Sequence, residues 1–487
     1  MSLKRKTVDG VLWSGLEKFT TLFIQLISTL IIARVISPVD FGLIGMLAVF
    51  MAVAQIILDS GFGQALIRKK DATNRDYSSV FYLNIVLGII LYTIFYFSSP
   101  FIAYFFNEPD LELISKIAFI IIPINALGLI QFTILNKDLN FKKLSKVAIL
   151  SAFISGVLGV TIAFYCMNVW ALVAQSIFFY FLRTVFLWVF SSWRPIRKFS
   201  IDSIKEMYSF SLNLLLTGLI GSIFNNLYSV VIGKVYSPID LGYFSQADRF
   251  QKIPSTSITG VIQSVTFPIL SKVQNQDQRL RKGYLKIIGV AFFIIAPIMM
   301  FLMIISESLF DILLTSKWHT ASIYFKYFCI IGALYPLSSI NLNILNIKGK
   351  GKLILKLEIF RKLLLCLILA VTFQISMMAL MYGSVLYSIC QLILNSYFSG
   401  KQISLSLKRQ LLNLSPIVIA VLPAIGITII LNMFSNDIHK LVLMLFQFVI
   451  FFGIYVYMSR KLKIKYFYDF ITICKEKLEL IKPIVSK

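Results

Sequence analysis

Charged residues are scarce in this sequence. Only 14% of its 487 residues are Asp, Glu, Lys or Arg, 58% are hydrophobic, and the mean hydropathy is +0.83. In a soluble domain, about 25% of the residues are charged. The shortage of charge excludes a water-soluble globule and predicts an all-α protein that crosses a membrane many times.

Histidine and cysteine are also rare, which limits metal and redox chemistry. The two histidines, His319 and His439, lie far from any cysteine, and no two cysteines form a CxxC pair. Four of the five cysteines lie in apolar stretches, where buried and inert thiols are typical. We therefore expect no metal site and no cofactor. The cysteines are Cys166, Cys329, Cys366, Cys390 and Cys474.

Apolar runs, in contrast, are long and numerous. Fourteen stretches reach a length of about 20 residues, which a helix needs to cross the hydrocarbon core. The first is too long for a signal peptide and lacks a small-residue cleavage site, so we predict a retained transmembrane helix. The predicted spans are 12–33, 41–64, 79–105, 113–135, 145–167, 169–193, 208–233, 241–270, 285–314, 322–346, 356–375, 378–399, 411–432 and 438–459.

Acidic residues are fewer than basic ones, with 22 Asp and Glu against 47 Lys and Arg, a formal net charge of +25. With these spans, 37 of the basic residues lie on one side of the membrane and 6 on the other side or its helix ends. By the positive-inside rule, the basic side is cytoplasmic, and so are both termini. The excess charge is then topological, and we expect no nucleic-acid partner.

One phrase occurs twice, which indicates an internal repeat. RVISPVDFG at 34–42 returns as KVYSPIDLG at 234–242, an offset of 200 positions, and both copies follow a long apolar run. Homologous halves of this kind are typical of transporters. In each copy a serine can cap a helix, proline suits its first position, aspartate meets the helix dipole and glycine allows close packing. These repeat-turn residues, interpreted as structural, are Ser37, Pro38, Asp40, Gly42, Ser237, Pro238, Asp240 and Gly242.

Charges that only one copy carries are more informative, because the shared scaffold does not require them. They lie on polar stripes with the spacing of 3 and 4 that marks one helix face. Polar stripes of membrane helices face the bundle interior or water. One stripe is Ser14, Lys18, Thr21, Gln25 and Ser28, and the other is Ser245, Arg249, Lys252, Thr256, Thr259 and Gln263.

The two stripes predict a net positive cavity near mid-membrane, suited to an anion and lined mainly by the first, second, seventh and eighth spans. Each predicted cavity residue has an alternative. Lys18 can extend to the interface, and Asp248 can pair with Lys252 and leave Arg249 as the free cation. Asp59 can be a cap or hinge. The predicted residues are Lys18, Gln25, Asp59, Arg183, Asn225, Asp248, Arg249 and Lys252.

Three phrases in the first part of the chain are distinctive: VDGVLWSGLEKF, ARVISPVDFGLIGM and LDSGFGQALIRKKDATNRDYSSVFYLNIVLG. They resemble the Wzx-type polysaccharide flippases, and more closely the WzxC-like exporters of the multidrug/oligosaccharidyl-lipid/polysaccharide superfamily. The match is densest over 1–135. The resemblance implies a transporter that flips an undecaprenyl-pyrophosphate-linked oligosaccharide across the bacterial inner membrane for cell-surface polysaccharide or lipopolysaccharide synthesis. It also implies that Lys18, Arg249 and Lys252 hold the pyrophosphate, and it suggests a polymerase and chain-length proteins as partners besides membrane lipids.

The same resemblance implies two six-helix lobes, 1–193 and 208–399, with two extra helices in 400–459. A basic cytoplasmic linker, 194–207, joins the lobes. The basic tail, 460–487, alternates Lys with aromatic and aliphatic residues. That tail is expected either to lie on anionic lipid as an amphipathic helix or to be solvated.

Two other functions compete with the flippase hypothesis. A multidrug or metabolite cation antiporter of the same architecture would need an acidic site at mid-membrane, for which Glu17 and Asp59 are the candidates. A membrane enzyme would need catalytic groups in sizeable outer loops, and these loops are short. KGKGK at 348–352 lacks the P-loop spacing. The sequence therefore predicts no ATP coupling and leaves the glycan, the energy source and the oligomeric state open.

Overall fold

A computed structural model describes residues 3–59, 61–433 and 439–472. Across these residues the chain is helical and contains no strand, which confirms the predicted all-α fold class. The chain divides into two compact units, Met1–Ser245 and Gln246–Lys487. The rest of the tail, with Cys474, lies outside the described residues.

The described residues of the first unit form eleven helices and the start of a twelfth. They are α1 (Leu3–Val35), α2 (Pro38–Asp59), α3 (Phe62–Arg68), α4 (Asn74–Phe106), α5 (Asp110–Ala118), α6 (Ile121–Ala126), α7 (Leu129–Lys137), α8 (Phe141–Cys166), α9 (Trp170–Phe190), α10 (Ile201–Asn225), α11 (Leu227–Val235) and α12 (Pro238–Lys272). The division between the units falls within α12, between Ser245 and Gln246.

The described residues of the second unit form the rest of α12, seven further numbered helices and a helical tail segment, 465–472, with a short 3₁₀ turn at Ser316–Trp318. They are α13 (Asp277–Ile304), α14 (Ser306–Leu313), α15 (His319–Ile347), α16 (Gly351–Thr372), α17 (Met377–Gln402), α18 (Leu407–Met433) and α19 (Lys440–Lys461).

Among the described residues, eleven helices are long and apolar enough to cross a membrane, or twelve if the bent segment α5–α7 is one span. Helices occupy all fourteen predicted positions, but α12 and α16 are not among those that qualify. Both carry several charges within one helix, such as Asp248 and Arg249 in α12. All fourteen predicted spans therefore coincide with helices, but two of these helices are less apolar than a membrane span requires.

The segment α5–α7 is bent by 42° between Asp110–Ala126 and Leu129–Lys137, the geometry of a broken span or of a re-entrant loop. Helix α9 satisfies backbone carbonyls that the break leaves free. Thr184 Oγ1 donates to the Ile124 carbonyl at 3.0 Å, and Trp188 Nε1 donates to the Leu127 carbonyl at 2.9 Å. Polar partners of this kind are what makes irregular backbone tolerable at membrane depth.

The two repeated turns have matching boundaries. Helices α1 and α11 end at Val35 and Val235, and α2 and α12 begin at Pro38 and Pro238. In the first turn, the Ser37 backbone N–H donates to Asp40 Oδ2 at 3.0 Å. In the second turn, the Asp240 N–H donates to Ser237 Oγ at 3.2 Å. The Asp40 carboxylate therefore stabilises the start of α2, and the Ser237 hydroxyl caps the start of α12.

The turns also pack on each other through their glycines. A Cβ on Gly42 would overlap the carbonyl of Pro238, and a Cβ on Gly242 would overlap the carbonyl of Pro38. Backbone cannot move away as a flexible side chain can, so this crossing of α2 and α12 requires glycine at both positions. The contact is reciprocal, as expected for two copies of one structural element.

A buried polar cluster, which we call the second-unit hub, joins α13, α15, α17 and α18. Tyr284 Oη lies 2.8 Å from both Asn341 Oδ1 and Gln410 Oε1. Asn341 Nδ2 donates to Ser396 Oγ at 3.0 Å, and Gln410 Nε2 donates to the Ser396 carbonyl at 2.9 Å. The hub consists of Tyr284, Asn341, Ser396, Ser399 and Gln410, all of them buried.

The described part of the tail folds back onto the second unit. Residues 465–472 are helical, and the side chains of Ile464, Tyr466 and Phe467 are buried. The Tyr466 ring lies against Gly289, where a Cβ would overlap it, and Lys286 Nζ lies 3.0 Å from Asp469 Oδ1. The apolar face of this segment therefore packs on protein, and the expectation for 473–487 lies outside the described residues.

Candidate functional site

A cavity of about 450 Å³ opens between α1, α7 and α8 in the first unit, and we call it the first-unit pocket. It lies where α1 begins, α7 ends and α8 begins, next to the predicted cytoplasmic segment 137–146. Its lining combines polar groups with two aromatic rings. The lining residues are Ser14, Glu17, Lys18, Thr21, Leu22, Phe132, Asn136, Phe141 and Leu144.

The stripe predicted on α1 divides into two parts. Its first three residues, ending at Thr21, line the pocket. Deeper in the helix, Gln25 is half-buried and Ser28 is buried. Gln175 Nε2 of α9 donates to Ser28 Oγ at 3.1 Å. The C-terminal part of the stripe therefore takes part in helix packing, and the N-terminal part faces the cavity.

Lys18 is the exposed cation of the pocket. Among the described residues, no carboxylate pairs with its ammonium group and no hydrogen bond of that group is found. Glu17 on the neighbouring position is held differently. Its Oε2 accepts a hydrogen bond of 3.3 Å from Ser145 Oγ on α8, and it interacts electrostatically with Arg183.

Arg183 enters the site from α9, behind the pocket wall. Its guanidinium lies 5.1 Å from the centre of the Phe132 ring, a cation–π geometry. The residue is half-buried and does not itself line the cavity. It therefore fixes the aromatic wall and balances Glu17, while Lys18 faces the open space.

Three predicted residues lie in the second unit, at the start of α12. Lys252 Nζ lies 2.5 Å from Asp248 Oδ2, the i,i+4 pair that the spacing allows. The Lys252 side chain is 58% exposed and that of Asp248 is 24% exposed. Arg249 is half-buried, and no described residue forms an ion pair or hydrogen bond with its guanidinium. Of these three charges, Arg249 is the one left uncommitted.

The far end of the α12 stripe packs inside the second unit. Thr259 is only 1% exposed, and its hydroxyl donates to the Ser255 carbonyl at 2.6 Å. Gln263 Nε2 donates to Ser339 Oγ of α15 at 2.6 Å. Along α12, the stripe therefore begins with charged residues and ends with residues packed inside the protein, as it does along α1.

Asp59 and Asn225 lie at breaks in helices and are not among the residues that line the first-unit pocket. Asp59 is the exposed last residue of α2, just before Gly61, which has a left-handed φ of 69°. Asn225 is the exposed last residue of α10, where the chain passes through Asn226 into α11. Both positions suit a hinge.

Sequence reasoning missed the far wall of the pocket. Phe132 and Asn136 are one helical turn apart on α7, a spacing that indicates a shared face, and this face lines the pocket together with α1 and α8. Arg361 was also missed, since it was counted with the cytoplasmic segment 348–362. It lies inside α16, is 3% exposed and pairs with Glu358.

A second cavity, of about 480 Å³, opens at the other end of the first unit. Its carboxylates are largely committed. Lys116 Nζ pairs with Glu112 Oε1 at 2.7 Å, and Asp40 caps α2. Its lining also includes Asp110, Asn168 and Trp170. Among the described residues, no group of three His, Cys, Asp or Glu side chains could hold a metal ion.

Comparison with known proteins places this geometry in context. The sequence model of a family described as "Polysaccharide biosynthesis protein" matches residues 31–323. The chain is 26% identical to the teichuronic acid biosynthesis protein TuaB of Bacillus subtilis over 72% of this chain and 73% of that one. It is 25% identical to the lipopolysaccharide biosynthesis protein WzxC of Escherichia coli over 75% and 74%.

Solved structures show the same fold. The lipid II flippase MurJ in an inward closed conformation superposes with a TM-score of 0.71 at 16% identity, covering 92% of this chain and 98% of MurJ. An inward-facing multidrug resistance MATE family transporter of the MOP superfamily superposes with a TM-score of 0.61 at 17% identity, covering 79% and 94%. The chain is a multi-pass membrane protein with the fold of that superfamily.

Proposed function

Since the chain belongs to the polysaccharide biosynthesis protein family, we propose that it flips a lipid-linked oligosaccharide across the bacterial inner membrane by alternating access. The carrier we propose is undecaprenyl pyrophosphate, and the purpose is cell-surface polysaccharide synthesis. The names of the relatives, which include the succinoglycan biosynthesis transport protein ExoT of Rhizobium meliloti, support an exported glycan. The protein is then a transporter and not an enzyme.

The single observation that carries the proposal is an uncommitted cation inside a membrane span. Lys18 lies on α1 within the candidate span Trp13–Val35 and faces a cavity. An ionised group at membrane depth costs several kcal/mol unless it is paired or hydrated, so such groups are usually functional. A pyrophosphate head would pair with this lysine while the polyprenyl tail stays in the lipid.

Arg249 is the matching candidate in the second unit. Its guanidinium can bind a phosphate through two parallel hydrogen bonds, which a lysine cannot do. Lys252 is already neutralised by Asp248 and should contribute less. We propose that Lys18 and Arg249 each contact the anionic head at some stage of the cycle, whereas Lys252 supports α12.

The proposed topology has both termini in the cytoplasm. The distribution of basic residues supports it, with 36 on the basic side, once the buried Arg361 is excluded, and 6 on the other. The proposed lobes are 1–193 and 208–399, joined by the basic linker 194–207 and followed by two helices in 400–459 and the tail 460–487. A polymerase and chain-length proteins are proposed as partners on the outer side.

A cation antiporter of the same architecture is less well supported. It would need an uncommitted carboxylate in a membrane cavity, but Glu17 is bonded to Ser145 and Asp248 is bonded to Lys252. Asp59 has no ion pair to a described residue, but it does not line the first-unit pocket. The exposed charge that faces the first-unit pocket is positive. This sign favours an anionic substrate.

Export in living cells tests the proposal. In a strain that depends on this protein, Lys18→Ala and Arg249→Ala should reduce the outward appearance of the glycan lipid on the order of tenfold, because each removes one charge-assisted contact of about 1.5–3 kcal/mol. Lys146→Ala, a matched change of an exposed lysine on α8 outside the pocket, should leave export intact. Normal export in both cation variants at normal protein levels would contradict the proposal.

A further inference from the structure

The basic linker 194–207 exposes apolar side chains beside its cations. Residues 191–200 form no helix and join the candidate spans Trp170–Phe190 and Ile201–Asn225. We propose that the linker anchors the first unit to the headgroups of anionic phospholipids in the cytoplasmic leaflet. The residues that carry this contact, which we call the linker anchor, are Ile196, Arg197, Lys198, Phe199 and Ile201.

The apolar side chains of the linker anchor are not covered by protein. Ile196 is 37% exposed, Phe199 49% and Ile201 60%. Arg197 and Lys198 lie between them in the chain and are exposed as well. Among the described residues, no carboxylate forms an ion pair with either cation. Unpaired cations next to exposed apolar side chains are typical of segments that lie at a membrane surface.

The backbone of the linker is held against α4. The Ile196 N–H donates to Ser78 Oγ at 3.0 Å, and the Tyr82 hydroxyl donates to the Ile196 carbonyl at 3.2 Å. Further along, the Ser200 N–H donates to Ser79 Oγ at 2.9 Å. Irregular backbone is tolerated next to lipid only where its polar groups have partners. These bonds meet that condition and hold the linker in one conformation.

Both ends of the linker are fixed next to membrane spans. At the end of α9, the Arg194 guanidinium donates to the carbonyls of Trp188 at 3.0 Å and Ser191 at 2.8 Å. This arginine is therefore occupied by protein. At the other end, Ser200 caps α10, which begins at Ile201. The linker anchor thus lies within a few residues of two spans, in the region of about 10 Å over which membrane surface charge acts at 0.1 M salt.

The described tail contains the same residue types in the opposite arrangement. Lys463 and Lys465 are exposed, but the neighbouring Ile464, Tyr466 and Phe467 are buried in the second unit. The apolar side chains of the tail therefore pack on protein and are not available to lipid. A sequence that alternates basic and apolar residues does not by itself identify a lipid anchor, and the tail is a matched control for the linker.

Anionic phospholipid fits the linker anchor better than a soluble partner does. Its exposed apolar side chains are separated by cations, so they form no continuous apolar patch of the kind that a partner protein covers. At a membrane surface, the cations attract phosphate headgroups while the apolar side chains enter the boundary of the acyl chains. The cytoplasmic leaflet, which the predicted topology places next to the linker, carries the negatively charged lipids.

Photo-crosslinking of the purified full-length protein in lipid nanodiscs tests this inference. The probes are phosphatidylglycerol and phosphatidylcholine with the same photoreactive group near the headgroup, and mass spectrometry locates the labelled residues. At 0.1 M salt, phosphatidylglycerol should label 194–201 on the order of tenfold more than phosphatidylcholine does, because each cation near the surface contributes about fivefold. At 1 M salt, where the Debye length is about 3 Å, this preference should fall several-fold. Equal labelling by the two lipids at 0.1 M salt, or no labelling of this segment, would overturn the inference.

Variants separate the two parts of the anchor. Arg197→Gln combined with Lys198→Gln should abolish the preference for phosphatidylglycerol and leave labelling by phosphatidylcholine within about twofold, because only charge is lost. Phe199→Ser should reduce labelling by both lipids on the order of fivefold and keep the preference, because it removes apolar contact and no charge. Lys463→Gln combined with Lys465→Gln, the matched change in the tail, should leave labelling of the linker unchanged. A preference that survives the loss of both linker cations would overturn the inference.

Thermal unfolding in nanodiscs provides a second readout. Adding phosphatidylglycerol to phosphatidylcholine nanodiscs should raise the unfolding temperature of the wild type, since a lipid that binds the folded state stabilises it. The combined linker variant, Arg197→Gln with Lys198→Gln, should lose more of this gain than the combined tail variant does. Equal gains in the wild type and the linker variant would contradict the inference. Neither measurement involves transport, so a failure here leaves the proposed function standing.

Discussion

The first-unit pocket and the second-unit hub are both clusters of polar side chains among membrane helices, but their hydrogen bonds are used differently. In the hub, the Tyr284 hydroxyl lies within hydrogen-bonding distance of both Asn341 and Gln410, which joins three helices. In the pocket, Ser14 and Asn136 have no such partner among the described residues. Polar groups that satisfy each other hold helices together, whereas half-buried polar groups left open are available to water or to a ligand.

The same contrast holds between the two stripes of charge. Lys18 and Lys252 occupy comparable stripes, yet only Lys252 has a carboxylate one turn away. Arg249, between Asp248 and Lys252, remains without an ion pair to a described residue. A single acidic residue at the right spacing therefore decides which cation is available to a substrate. Counting basic residues in a span would miss this difference.

The largest expected effect is on the backbone contact that both copies of the repeat share. Gly42→Leu or Gly242→Leu would drive a side chain into a proline carbonyl, which should cost about 3 kcal/mol or more and lower the amount of folded protein. Gly426→Ala is the control, because its added Cβ would meet no atom within 4 Å. Thermal unfolding in detergent measures the difference. Unchanged stability of both leucine variants would show that the turns do not pack as described.

The next effect sharpens the contrast between hub and pocket. Asn341→Ala removes a buried partner from Tyr284, Ser396 and Ser399, although Tyr284 keeps Gln410. The free energy of unfolding should therefore fall by about 2 kcal/mol. Asn136→Ala, the matched change in the pocket, should leave it unchanged within about 0.5 kcal/mol. Thermal unfolding of the two variants side by side provides the comparison, and equal destabilisation would remove the distinction between committed and free groups.

A smaller effect separates Arg249 from Lys252. The Asp248–Lys252 pair is largely exposed on the lysine side, so Lys252→Ala should change transport by no more than about threefold, as for other exposed pairs. Arg249→Ala should reduce it on the order of tenfold because an uncommitted guanidinium is lost. Transport rates at equal protein levels decide between them. Equal losses in the two variants would mean that pairing with Asp248 does not remove Lys252 from the substrate.

The smallest effect is expected when the charge of the pocket is kept. Lys18→Arg preserves the positive charge and should retain transport within about threefold, whereas Lys18→Gln keeps a similar length without the charge and should lose on the order of tenfold. Initial transport rates again provide the measure. A Lys18→Gln variant as active as Lys18→Arg would show that length, and not charge, is what the pocket uses.

Much of the fold could be predicted because it depends on local pattern. The repeated phrase set the ends of α1 and α11 and the starts of α2 and α12, since proline and serine act on their own helix turn. The break before α7 was not predicted, because the groups that satisfy its carbonyls, Thr184 and Trp188, lie about 60 residues away. Tertiary partners of this kind leave no local signal.

The candidate site was only partly predictable for the same reason. Lys18 and Thr21 were found from their spacing, and the Asp248–Lys252 pair was anticipated as an alternative. Asn136 and Phe141 were missed, because they line the pocket from α7 and α8, helices that lie more than 100 residues from Lys18 in the sequence. Arg361 was missed because its charge resembles that of the neighbouring loop, although the residue is buried within α16.

Reconstituted flipping tests the central claim most directly. Purified protein in liposomes, with a sugar-bearing undecaprenyl pyrophosphate confined to one leaflet, should move the lipid to the other leaflet much faster than protein-free liposomes do. Lys18→Ala should slow this movement on the order of tenfold, and Lys146→Ala should not. Wild-type protein that leaves the lipid in its original leaflet, or Lys18→Ala protein that moves it at the wild-type rate, would contradict the account.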